Sequence, residues 1–261
     1  MDKPSRSRSA KPQRGNPHRL SYRQHFFPAL SISRFDRDGY VDLYDVVRRI
    51  RRPAEDNDNI FCADRSWNHG AETGYMRRYE DAFQNLVPAL LSRRACAPAD
   101  SMTSIISDFY ALWKARSKHR RLTSQYLKVC EENVWPNEDT CDRLEVLEKN
   151  GYMAMRPDGS LAMRDVMSGE IFLAIRREKE ALAASSWGMV ETSEGEFCVP
   201  DAPQHGILPL TPSLALIANG PTGRITRENL GLINRVLFEH CQEFIFARDL
   251  EACPGLPEKL W

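Results

Sequence analysis

This chain of 261 residues is short of every motif that would name a reaction. It has no P-loop, no GxGxxG, no HExxH, no EF-hand loop and no GxSxG, which disfavours the common nucleotide, zinc-protease, calcium and esterase chemistries. No apolar run approaches the ~20 residues that span a bilayer, so no membrane partner is expected. The charged N-terminus lacks the apolar stretch of a secretory signal. The seven cysteines are dispersed, odd in number and without a CxxC pair, against a zinc ribbon or a thioredoxin-like site. Such cysteines behave as small buried hydrophobes in a reducing compartment, and the expected location is cytoplasmic.

What is present is ordinary in amount and uneven in placement. Hydrophobic residues make up 42% and charged residues 28%, enough for a sizeable core without disulfide or metal. Lys+Arg and Asp+Glu are both 36, yet residues 1–24 hold seven basic residues against Asp2 alone, a surplus of six. The remainder is therefore mildly acidic. Residues 1–20, with prolines, Gly15 and alternating Arg and Ser, read as a disordered basic leader. Such a leader is either a solvated tail or a contact for nucleic acid.

Residues 21–261 read as a single α+β domain: a mainly helical body with a small, mostly antiparallel sheet formed from N-terminal and C-terminal strands. Pro28 suits the first position of a short helix over "PALSISRF". Tyr40–Val46 alternates in the manner of a half-buried strand, and "IFCAD" reads as a short strand. Helical spacing follows from Glu72 to about Ala97 (Tyr79, Phe83, Leu86, Leu90), with Pro88 as a kink, and again from Asp100 (Ile105, Phe109, Leu112, Trp113). Further helices are expected over 121–134, over 137–149 with Asn137 as cap, and over 164–183. A "PDG" hairpin is expected between the last two. Short strands then follow in "SWGMVET", "EFCVPD", "ILPL" and "LALIAN". A last helix is expected from Thr226 to about Asp249, with Leu230, Ile233, Leu237, Cys241, Phe244 and Ile245 on its apolar face.

Several polar residues sit in settings unlike their surroundings. His25 lies against Phe26, Phe27 and Pro28, as a buried structural hydrogen-bonder or as a base or ligand held by an apolar wall. Asp201 lies between Pro200 and Pro203 at a strand end, where a carboxylate either closes a turn or serves a site. His205, four residues on, could join such a site. Glu80 falls at the border of its helix's apolar face. Arg116 belongs to the cluster Lys114–Arg121, read either as a solvated helix end or as a phosphate holder. Sharing one sheet, the terminal strands would bring His25 near Asp201.

These pieces resemble a large, mainly bacterial family of unknown function, marked by an N-terminal His-Tyr-Val-Pro stretch and a late Asp-Asn-Pro turn. "HFFP" (His25 to Pro28) is similar to the first and "PDAP" (Pro200 to Pro203) to the second. "YVDLYD", "YEDAFQNLVPALL", "FYALWKARSKHR", "ILPLTPSLALI" and "NLGLINRVLFEHCQEFIFA" resemble the pieces between and after, so the likeness covers nearly all of residues 22–250. It implies that His25, Glu80, Arg116, Asp201, Pro203 and Asn234 occupy the family's marked positions. Two departures stand out: Phe26-Phe27 replaces Tyr-Val, and Ala202 replaces Asn, removing an amide from the turn.

Two functions follow as expectations. In one, the protein is a metal-dependent phosphodiesterase or nuclease effector of a defence or toxin system. His25, Glu80 and Asp201 would then be catalytic groups and ligands for Mg²⁺ or Mn²⁺, while Arg116, Asn234 and His205 bind phosphate or substrate. In the other it is a non-catalytic protein- or nucleic-acid-interaction module, and His25 and Asp201 are a structural latch.

Overall fold

The computed structural model describes residues 11–93, 96–130, 141–156 and 158–257. Elements appear in the order β1 (Arg23–His25), α1 (Ala29–Ile32), β2 (Val41–Asp45), β3 (Ile50–Ala54), β4 (Cys62–Asp64), α2 (His69–Ala71), α3 (Arg77–Ser92) and α4 (Asp100–His119). They continue with β5 (Tyr126–Lys128), α5 (Cys141–Lys149), β6 (Ser160–Ala162), α6 (Met163–Leu182), β7 (Trp187–Glu191), β8 (Val199–Pro200), β9 (Ile207–Thr211), β10 (Leu214–Ala218), β11 (Gly223–Arg224), α7 (Arg227–Glu239) and β12 (Phe244–Ala247). The fold is α+β, as expected.

Among the described residues, strands group into two four-stranded sheets, β3-β2-β12-β8 and β11-β7-β10-β9, and two two-stranded ribbons, β1-β4 and β5-β6. The first sheet joins the two ends of the chain, with Phe244 opposite Asp45 and Ile245 opposite Pro200. His25 is not in it: β1 pairs with β4, placing His25 opposite Cys62.

The helical centre is α4, which lies against α3 and α6. Its residues Phe109 to Trp113 are all buried, so the helix is enclosed on more than one face. The "HFFP" stretch supplies two core rings. Phe27 meets Trp113 with ring centres 4.5 Å apart, and Phe26 meets Phe244 at 6.0 Å. These apolar neighbours of His25 are packing for the core. Burying two phenylalanines contributes about 1.5–3 kcal/mol each.

Several local expectations are corrected. The final helix stops at Glu239, and Phe244 and Ile245, expected on its apolar face, form the strand β12 instead. All four β12 residues are buried, so the strand shows no alternation and its spacing mimics a continuing helix. The segment expected as a helix over 121–134 contains strand β5, because β6 offers it a pairing edge; residues 131–140, including Asn137, lie outside the described residues. Of the expected "PDG" hairpin, Pro157 lies outside the described residues; beside it the Arg156 amide donates to the Ser160 carbonyl at 2.8 Å, and the following strand β6 pairs with β5. Pro28 sits one place before the helix, as its cap.

Residues 11–20, expected within a disordered leader, pack instead against the acidic face of α5. The Gln13 amide donates to Glu145 Oε1 at 2.7 Å, His18 Nε2 meets Asp142 at 2.7 Å, and Leu20 is buried. Residues 1–10 lie outside the described residues. No helix among the described residues is long and apolar enough to cross a membrane.

Candidate functional site

Arg116 in the last turn of α4 and Arg120, the residue that caps the helix, lie four places apart, and each gathers carboxylates from distant segments. The i,i+4 spacing continues the apolar row Phe109, Leu112, Trp113, so both guanidinium groups are directed inward. Their side chains are 1% and 7% exposed.

Arg116 Nη1 donates to Glu80 Oε2 at 2.8 Å and to the His25 carbonyl at 3.2 Å. Its Nη2 donates to Glu72 Oε2 at 3.1 Å, an oxygen that also accepts from Trp67 Nε1 at 2.5 Å. Burial pushes the guanidinium pKa down, but Glu72 and Glu80 outweigh it and raise it above its ordinary value. Glu72 is on the π-type turn Glu72–Met76 between α2 and α3, and Glu80 is in the first turn of α3. Arg116 therefore binds β1, that turn, α3 and α4 into one unit.

Arg120 does the same for the C-terminal half. Its Nη2 donates to Asp201 Oδ2 at 2.5 Å and lies 2.7 Å from Glu243 Oε1, and its Nη1 donates to the Asp201 carbonyl at 3.0 Å. Here too burial lowers the guanidinium pKa while Asp201 and Glu243 more than restore it. Asp201 is fully buried, and its carboxylate also accepts from the backbone amides of Gln242 at 2.9 Å and Glu243 at 3.1 Å. The aspartate after β8 thus closes the turn that leads into β12.

The residues singled out in the sequence therefore separate. Glu80 meets Arg116, and Asp201 meets Arg120 four residues on, at the C-terminal cap of the same helix. His25 touches this framework only through its carbonyl; its imidazole Nε2 donates outward to the Asp56 carbonyl at 3.1 Å. Asn234 is buried and clamps backbone, accepting from the Cys198 amide and donating to the Glu196 and Pro254 carbonyls at 3.1, 2.9 and 3.1 Å. His205 is on the exposed β8–β9 turn beside His240. The expected Mg²⁺ or Mn²⁺ set of His25, Glu80 and Asp201 is not assembled. Both carboxylates are held by arginine, and no group of three or more His, Cys, Asp or Glu side chains that could hold a metal occurs among the described residues.

Solvent reaches this framework through a cleft of about 300 Å³. Tyr22 just before β1, Arg23 from β1, Cys62 and Asp64 from β4, Arg120 and Arg121 just after α4, and Glu243 line it. Arg121 Nη2 lies 2.6 Å from Glu243 Oε1 and is 42% exposed on its side chain. Arg23 Nη2 donates to the Asn57 carbonyl and lies 3.9 Å from Cys62 Sγ. Burial pushes the Cys62 thiol pKa up against the pull of Arg23, which favours the thiol over the thiolate.

Arg120, which the sequence places only within the basic cluster, and Glu72 and Glu243, which it does not mark, complete the framework. The phase of α4 carried the signal for Arg120: a charged residue four places after Arg116, on the row that includes Trp113, faces the core. Glu72 and Glu243 had no local signal, because their role depends on where α4 lies.

Compared with known proteins, the chain matches no family model, no curated protein and no solved structure.

Proposed function

We propose that this protein is a non-catalytic binding module for a phosphate-bearing strand, with single-stranded nucleic acid as the ligand class. The observation that carries the reading is the state of Asp201, which is fully buried and takes donors from Arg120, Gln242 and Glu243. A carboxylate so engaged is a strut, and Glu80 on Arg116 is a second one. The cleft beside them supports ligand binding. The basic N-terminal segment of the sequence leads directly into Arg23, whose hydrogen bonds go to a carbonyl and a thiol. Arg121 is half-exposed at the same opening. Planar guanidinium groups bind phosphate oxygens in pairs.

The test is fluorescence anisotropy of a labelled single-stranded oligonucleotide with the full chain, with Arg23→Ser and with a chain lacking residues 1–10. Binding should weaken between about 50 and 200 mM salt, as release of condensed counterions requires. Each variant should bind less tightly and show a shallower salt dependence. Absence of binding at low salt, or equal binding by all three proteins, rejects the reading. Mg²⁺- or Mn²⁺-dependent cleavage of the strand, lost in a folded Asp201→Ala variant, would instead restore the phosphodiesterase expected from the sequence, as a nuclease of a defence or toxin system.

A further inference from the structure

The turn between β8 and β9 and the end of α7 bring two histidines together on the surface. His205 adopts a left-handed backbone with φ 50°, followed by Gly206 at φ 70°. The Gly206 amide donates to Tyr110 Oη at 2.9 Å, and the Ile207 amide to the Gln204 carbonyl at 2.9 Å, so the main chain holds this turn in place. His240 follows the last residue of α7 and folds back on its own helix, with Nδ1 2.9 Å from the Val236 carbonyl. A carbonyl only accepts, so in the neutral ring the proton of His240 is on Nδ1 and Nε2 presents a lone pair. A second hydrogen bond that fixes the tautomer in this way is the usual support of a metal-binding imidazole.

The free nitrogen of His240 lies 3.4 Å from Nε2 of His205, while the ring centres are 4.6 Å apart. The nitrogens are closer than the ring centres, so the nitrogen-bearing edges converge. A tetrahedral ion with metal–nitrogen bonds of about 2.0–2.1 Å separates two of its ligand nitrogens by about 3.3–3.4 Å.

We propose that His205 and His240 form a two-histidine site for a borderline transition-metal ion of the Zn²⁺, Ni²⁺ or Cu²⁺ class. Paired imidazoles suit these ions and not Mg²⁺ or Ca²⁺. No third His, Cys, Asp or Glu joins them among the described residues, so water or a side chain of a bound partner completes the coordination. The ion would staple the β8–β9 turn to the α7–β12 turn. Asp201 already joins these segments through the Gln242 and Glu243 amides, so metal binding reinforces an existing junction.

The experiment is calorimetric titration of the untagged full chain with NiCl₂, beside His205→Asn and His240→Gln. Asn is chosen because it tolerates a positive φ. The expected result is one ion per chain, with each substitution weakening binding at least about tenfold, as loss of one of two ligands should. The metal-induced rise in melting temperature should disappear in both variants. Equal affinity in all three proteins overturns the site and assigns the ion to other side chains, which every variant retains. Loss in only one variant leaves a single histidine as ligand and also overturns it. No binding to the wild type means that the 3.4 Å contact is a plain N–H···N hydrogen bond.

Discussion

Replacing Asp201 with alanine removes three bonds from a fully buried position. The ion pair to Arg120 at 2.5 Å is lost, and the amides of Gln242 and Glu243 lose their acceptor. Removing one partner of a buried pair costs about 3–5 kcal/mol, and the low end applies because Arg120 keeps Glu243. Two under-satisfied amides add about 1 kcal/mol or more between them. A total of about 4 kcal/mol lowers the melting temperature of a domain this size by about 8–16 °C. The assay is thermal unfolding by circular dichroism of wild type, Asp201→Ala, Arg120→Met and the double variant. Because the two side chains share one bond network, the double variant should lose clearly less than the sum of the single losses. A melting temperature within about 2 °C of wild type for Asp201→Ala, or full additivity in the cycle, would refute the strut.

Three further outcomes are expected. Arg116→Lys should destabilise the protein by about 2–3 kcal/mol in urea, because one ammonium cannot reach Glu72, Glu80 and the His25 carbonyl together; an unchanged midpoint would contradict the network. Glu148 is buried between Arg65 and Arg164; burial pushes its carboxyl up, but Arg164 and Arg65 outweigh this and hold it below its ordinary 4.5. The stabilisation from this depressed pKa is complete above pH 4.5 and is lost as pH falls through the folded value. Glu148→Gln should therefore cost about 3 kcal/mol at neutral pH and progressively less in acid, and a pH-independent loss would count against the ion pairs. Maleimide labelling of the native protein should modify the exposed Cys96 and Cys141 first and leave Cys198 and Cys253 unmodified, since burial pushes both of these thiols up; early labelling of Cys198 would place it outside the core.

Much of the local structure was legible in residue spacing. The row Phe109, Leu112, Trp113 is buried, and in the row Tyr79, Phe83, Leu86, Leu90 the residues Phe83 and Leu90 are buried while Tyr79 and Leu86 are partly so. The Pro-Asp-Ala-Pro turn marked Asp201 as a polar residue in a special place. Its role was not legible, because the arginine that defines it lies 81 residues away. The metal reading of His25, Glu80 and Asp201 failed for the same reason. A carboxylate that could ligate a metal and one that will meet arginine look alike in sequence.

Sequence alone determined the properties that depend on neighbours three or four places apart: α3, α4 and α6, the capped start of α7 at Thr226, and the α+β class. Tertiary structure alone decided where long-range partners meet. Leu237, Cys241, Phe244 and Ile245 keep helical spacing across the end of α7, yet Phe244–Ala247 is a strand because β2 and β8 flank it and every residue is buried. In the same way α4 turned a basic cluster into two buried ion-pair centres, since only its position between the chain's two halves supplies the carboxylates that make burying Arg116 and Arg120 tolerable.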